Sequence, residues 1–389
     1  MKKILSTMLA GALIAGAAFA DVGFSYTGAA IFQGTTKKIN KVDRNDCLAL
    51  TLQNDIAGVV CDWDIKGDDV LDLDAFYGWM TFGLPAGSLQ VTSGKWKSRY
   101  VSRVNSGAGN LDAYNNYFER FKPGNIIKGT VSEDSDNLTN KAYSTVLAYT
   151  LADTLPGTLM VKFGLVSSEY NHAANPAGIG AKNKDGKDYA DEKADRDAQE
   201  ADVWLKSGFV GEICWFQEGL IKANVAVRNL NKDVTSLGIF VSPLMVAGLD
   251  ATVGFSTAIV DADLIKDYSE IAFDLRARYA VSEKTGITGM FNYSNAGVKD
   301  NDKSAMWTML GIDYAAGDNI KFVAALNNTV NDFDAPICTK SEFAFSTGCD
   351  IKASEKATVS VGFDANWTNK KPYSGVADIS LPISVAFEL

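Results

Sequence analysis

The sequence predicts an all-β fold: a transmembrane antiparallel up-and-down β-barrel of about 16 strands, within a range of roughly 14–18. Three observations predict it. Apolar residues recur at every second position from end to end, short turns alternate with long polar connections, and no stretch after residue 20 has the length of an apolar spanning helix.

The alternation is cleanest in the last segment. Ile379, Leu381, Ile383, Val385, Phe387 and Leu389 alternate with Ser380, Pro382, Ser384, Ala386 and Glu388. A helix would scatter that apolar set around its circumference, whereas a strand with lipid on one side and water on the other collects it on one face. The same rhythm runs through Val22–Phe32, Leu71–Trp79, Tyr143–Leu151, Leu159–Leu165, Leu249–Ile259, Ile271–Val281 and Ala357–Trp367. Helical spans being absent, membrane residence requires a closed barrel, because no other sheet satisfies its backbone in lipid.

Lys2 and Lys3, the apolar run Ile4 to Ala18 and the small-x-small Ala18-Phe19-Ala20 read as an export signal over residues 1–20. Residues 21–389 then form the barrel, 369 residues after the first 20 of 389 are removed. That part holds 35 basic residues (37 less Lys2 and Lys3) against 47 acidic ones. Phosphate binding needs a basic face, so the balance excludes nucleic acid as a partner.

The short connections fall near Leu84–Ser88, Asp153–Gly157, Ser282–Gly286, Ala315–Asn319 and Lys352–Lys356. Longer polar stretches cover 34–69, 99–140 and 169–200, with smaller ones at 261–267, 297–303, 332–340 and 368–375. Outer-membrane barrels show this asymmetry between periplasmic turns and extracellular loops. Seven of the eight prolines fall in connections; Pro382 is mid-strand, where a β-bulge or a bound water is expected.

Both termini on one side demand an even strand number. Reading Phe343–Ile351 as a strand reaches about 16, and it separates Cys349 from Cys338 beyond bridging distance. Reading it as a loop lets those cysteines pair. Cys47 and Cys61 fall in one expected loop and are candidates for a disulfide. Cys214 reads as a small buried hydrophobe.

No catalytic constellation is visible. The one histidine, His172, lies in an expected loop with no nucleophile motif beside it. Metal-spaced Cys/His clusters and phosphate-cradling glycine loops are missing too, so neither enzyme nor cofactor is implied. The informative charges are Lys222, Arg228, Asp274, Arg276, Arg278 and Asp364, each alternating with an apolar face. With the apolar face in lipid, they line the pore. They either bias permeation or form internal ion pairs. In the third long stretch, Asp185, Asp188, Asp191, Glu192 and Asp195 form a candidate constriction loop favouring cations, or a solvated surface loop. Tyr77, Trp79, Trp204, Trp367, Tyr373 and Phe387 are candidates for interfacial aromatic girdles.

The mature chain resembles bacterial outer-membrane porins. Met1–Leu5 through Ala20, and Tyr77-Gly78-Trp79-Met80 to Gly94-Lys95-Trp96, resemble porin-type proteins of treponemal spirochaetes. The last strand resembles the C-terminal signature read by barrel-assembly machinery, departing from it in that Leu389 is terminal and Phe387 sits one alternation earlier. The resemblance implies an outer-membrane channel for passive diffusion of ions and small hydrophilic solutes, its partners being outer-membrane lipid and, in porin fashion, two further copies in a homotrimer. The rival reading is a surface adhesin or ligand-binding protein that uses the barrel as an anchor.

Overall fold

A computed structural model of the chain describes residues 21–66, 70–96, 142–166, 208–228, 234–260, 268–298, 303–330, 341–367 and 377–388. The expected signal (1–20), His172 and the acidic stretch 185–195 lie outside the described residues. In chain order the strands are β1 (Asp21–Thr35), β2 (Lys38–Gln53), β3 (Ala57–Lys66), β4 (Val70–Leu84), β5 (Gly87–Trp96) and β6 (Ala142–Leu155). There follow β7 (Gly157–Val166), β8 (Gly208–Gln217), β9 (Ile221–Arg228), β10 (Val234–Pro243), β11 (Leu249–Val260) and β12 (Tyr268–Ala280). The last are β13 (Thr285–Val298), β14 (Lys303–Ala315), β15 (Ile320–Val330), β16 (Ser341–Ser354), β17 (Ala357–Asn366) and β18 (Asp378–Glu388).

These strands form one antiparallel sheet of 18, each paired with its sequence neighbours. Closure comes from β1, which pairs with β2 on one side and with β18 on the other, from Ser25↔Glu388 to Thr35↔Asp378. A sheet in hydrocarbon cannot carry an edge, since each unpaired N–H and C=O would be stranded without water. The seam removes both edges at once.

The count of 18 corrects the expected 16. The two additional strands, β2 and β3, occupy the stretch 34–69 expected to be a loop. Their turn is built by Asn54, whose Oδ1 accepts from the amides of Ile56 at 3.0 Å and Ala57 at 2.8 Å. That is an Asx-type turn, in which a side chain replaces a backbone acceptor. The segment around Phe343–Ile351 is strand β16, as the even count required.

Period-two alternation sorts the residues between two unlike faces. In β17, Ser360, Gly362 and Asp364 are buried, while Val361 between them is 44% exposed. In β15, Val323, Ala325 and Asn327 are buried, and Phe322 and Leu326 are exposed. The apolar side chains thus face outward and the small or polar ones inward. A water-soluble protein would reverse this, so the outer surface is matched to hydrocarbon. Aromatic rings associate across strands on that outer face: Phe387 lies 5.3 Å from Tyr26 and 6.4 Å from Phe24 across the seam, and Phe273 lies 6.0 Å from Phe291.

Tyr77 and Trp79 do not join an outer girdle. On β4 it is Phe76, Met80 and Phe82 that are exposed, which turns 77 and 79 inward. The Trp79 indole lies over Gly58, where a Cβ would meet the ring at 2.6 Å. Phe387 does face outward; Trp204 and Tyr373 lie outside the described residues.

At Pro382 the structure differs from the expected bulge. The β17–β18 register skips from Val361↔Ile383 to Asp364↔Ser380 without shifting, and Pro382 itself is fully buried opposite Ile31. Proline has no amide to donate, so the ladder lapses for two rungs and resumes in frame.

Cys47 and Cys61 do not form the disulfide that their spacing allowed. Cys47 pairs with Asp64, and Cys61 with Leu50, three β2 positions away and therefore on the other face. Both are thiols, and Cys47 Sγ donates to Asp62 Oδ1 at 3.0 Å. Cys349 is also a thiol; Cys338 lies outside the described residues.

The assignment of faces is testable at Leu326, which is 59% exposed midway along β15. Leu326→Arg should lower unfolding stability in phospholipid vesicles by about 2–4 kcal/mol, measured by urea titration. A change near zero would mean that position 326 does not face hydrocarbon.

Candidate functional site

The candidate site is the inner face of the barrel, where polar and charged side chains that no apolar core would tolerate are brought together. On one wall, Arg278 of β12 reaches across β13 to Asp313 of β14. Its Nε donates to Oδ2 at 3.0 Å and its Nη2 to Oδ1 at 2.9 Å, a bidentate fork. Lys321 of β15 lies 3.9 Å from the same carboxylate. The crossing works because β13 contributes Gly286 at that point. A Cβ there would fall within 2.6 Å of the guanidinium carbon.

Further round the same wall, Glu212 of β8 is 2% exposed and held from two sides. Lys162 of β7 approaches its Oε2 at 2.9 Å and Asn224 of β9 donates to its Oε1 at 2.5 Å. Smaller pairs complete the pattern. Ser360 donates to Asp350 at 2.6 Å, Ser242 and Thr252 share a 2.5 Å hydrogen bond, and Gln90 donates to Thr81 at 3.3 Å. Each joins adjacent strands. Buried polar groups are tolerable only when satisfied, and these satisfy one another across the ladder.

Of the six charges expected to line the pore, Arg278 and Asp364 are on the inner face, and Asp364 is wholly buried. Lys222 pairs in register with Ser242, which bonds inward to Thr252. Arg228, Asp274 and Arg276 occupy strand positions, but their side chains lie outside what the structure describes. The candidate constriction acids Asp185, Asp188, Asp191, Glu192 and Asp195 lie outside it too. Among the described residues, no group of three or more His, Cys, Asp and Glu is placed to hold a metal ion. Residues not singled out from the sequence include Lys162, Glu212, Asn224 and Asp313. The signal was available for three of them: Lys162 interrupts Val161 and Phe163, Glu212 precedes Ile213, and Asp313 separates Ile312 from Tyr314. A lone polar residue in an otherwise apolar run marks the wet side of a strand.

Neither a protein-family model nor a curated protein matches the chain. Solved structures do. OccK11 (OpdR) of Pseudomonas aeruginosa is 6% identical, with 95% of each chain covered and a TM-score of 0.56. OpdL of Pseudomonas aeruginosa is 9% identical, covering 95% of this chain and 98% of its own, with a TM-score of 0.55. OccK3 (OpdO) of the same organism is 9% identical, covering 95% and 96%, with a TM-score of 0.54. At such identities the likeness establishes the fold. The chain is a large closed barrel of the bacterial outer-membrane kind, superposable over nearly its whole length.

The Arg278–Asp313 fork yields a coupled pair of substitutions. Asp313→Ala removes the acceptor, and Gly286→Val blocks the path of the guanidinium. Each should lower unfolding stability by about 1–3 kcal/mol, the cost of stranding a buried polar partner. Because both sever one interaction, the double variant should lose little more than either alone. Full additivity in urea unfolding would show that Gly286 does not serve the crossing.

Proposed function

We propose that the protein is an outer-membrane channel through which ions and small hydrophilic solutes diffuse passively. The observation that supports this best is the inversion of its faces: an apolar exterior over a polar, charge-bearing interior in a closed sheet of 18 strands. A barrel serving only as an anchor has no need to organise charge on its inner wall, whereas a water-filled passage does. Large barrels also enclose more volume than their own side chains fill. The structural neighbours, whose fold this chain shares, point the same way.

In this reading Lys222, Arg228, Asp274, Arg276, Arg278 and Asp364 line the passage. Width sieves the solute, and charges not consumed in internal pairs set the ionic bias. Asp185, Asp188, Asp191, Glu192 and Asp195 form an acidic constriction that favours cations. Homotrimeric assembly belongs to the same reading and is read out by cross-linking the purified protein.

Purified, folded protein added to a planar lipid bilayer should give stepwise conductance increments. Replacing the five acids at 185–195 by their amides should move the zero-current voltage in a salt gradient toward lower cation preference. A barrel that inserts yet stays silent across salts would remove the channel reading.

A further inference from the structure

Aromatic side chains on the inner face of a membrane barrel forgo lipid for a polar interior. Tyr77 and Trp79 do so as successive inner residues of β4. Each stands beside a glycine: Trp79 pairs with Gly58 of β3, and Tyr77 with Gly94 of β5. Because Gly58 has no Cβ, the Trp79 indole lies across the β3 backbone, where a Cβ would fall 2.6 Å from Cε2 and Nε1. One face of the indole is thereby turned to the wall and the other to the interior.

Polar groups border the two rings. Thr92 of β5 pairs with Trp79. Thr81, the next inner residue of β4, pairs with Gln90, whose Nε2 donates to the Thr81 hydroxyl at 3.3 Å. Asp62, paired with Ala75, is the next inner residue beyond the Val60↔Tyr77 rung. The described inner positions of β3–β5 carry no basic side chain.

This strip is also accessible. Tyr77, Trp79, Gln90 and Thr92 are only half-buried. Trp79 stands five residues from Leu84, where β4 ends. Met290 and Ala325, equally five residues in from Thr285 and Ile320, face inward too but are 4% and 3% exposed. At equal depth, the wall of β13 and β15 is shut off and that of β4 is open.

A flat apolar surface edged by hydroxyls and an amide matches a solute with the same two-sided character. A pyranose has it, with axial C–H groups on a ring face and hydroxyls around the rim. An anionic solute would find no cation on this strip and would be repelled by Asp62. We propose that the inner face of β3–β5 is a stacking site for neutral sugars. Trp79 is the platform, Tyr77 extends it by about 7 Å along the strand, and Gln90 and Thr92 hydrogen-bond the sugar hydroxyls. The site rests on the channel reading for its hydrated interior and names the solute class.

The test is saturation-transfer NMR from the folded barrel in detergent to maltose, which requires no current. Sorbitol, with hydroxyls but no ring face, and glucuronate, a charged pyranose, serve as comparisons. Transfer should favour maltose and concentrate on its axial C–H protons. Trp79→Ala should weaken maltose binding about tenfold, and Trp79→Phe should keep most of it. Were the ring only a shelter for Gly58, Trp79→Ala would lower stability and leave maltose binding unchanged, which would overturn the proposal. Equal transfer to maltose and sorbitol would overturn it as well. Should Trp79→Ala not fold, Gln90→Leu combined with Thr92→Val should lower binding while the platform stays. Planar-bilayer conductance separates this site from the channel reading: current without maltose transfer removes the site alone, and transfer without current removes the channel and supports the site.

Discussion

Everything in this structure depends on the closure of the sheet at β1 and β18. In hydrocarbon the backbone has no solvent to fall back on, so each amide and carbonyl at membrane depth must find its partner within the protein. Closing the sheet achieves this and also fixes the two-faced character of every strand. Once the sheet is a tube, each residue points either to lipid or to the interior, with no third environment. The exposed apolar residues on alternate positions, which would threaten a soluble protein with aggregation, are the consequence.

The interior is organised by the same geometry. Side chains on neighbouring strands meet in rows, so a charge on one strand is compensated by a partner on the next or, where a glycine leaves room, on the one after. Lys162–Glu212–Asn224 uses adjacent strands. Arg278–Asp313 spans three, because Gly286 offers no obstacle.

Much of this was legible in the sequence. Strict two-residue alternation with turn residues between runs specifies strands, and a chain full of such strands with no spanning helix specifies a barrel. The hairpin of β2 and β3 escaped because Lys38, Lys41, Asp43, Arg44 and Asp46 charge both faces at one end, which hides the rhythm that Leu48, Leu50 and Leu52 carry further on. A strand that alternates over only part of its length looks like a loop. Charges on the inner face were legible where they interrupt a long apolar alternation, as at Arg278, and easily missed where one stands alone, as with Asp313. Which charges pair was not legible at all. Pairing depends on register between strands, and Arg278 meets a residue 35 positions later in the chain. The aromatic residues Tyr77 and Trp79 misled for a related reason: an aromatic near a strand end suits either face, and only its phase relative to Phe76 and Met80 decides.

The fork between β12 and β14 also bears on how the tube reaches its correct diameter. Two-strand contacts are indifferent to small errors if both partners slide together, but a link that vaults an intervening strand ties three alignments to one another. Sliding β13 by a single residue would bring Ile287, on the other face, to the gap that Gly286 occupies, and the vault could not form. Because strand number and stagger jointly set the width of a closed sheet, Arg278 and Asp313 act as a gauge of bore.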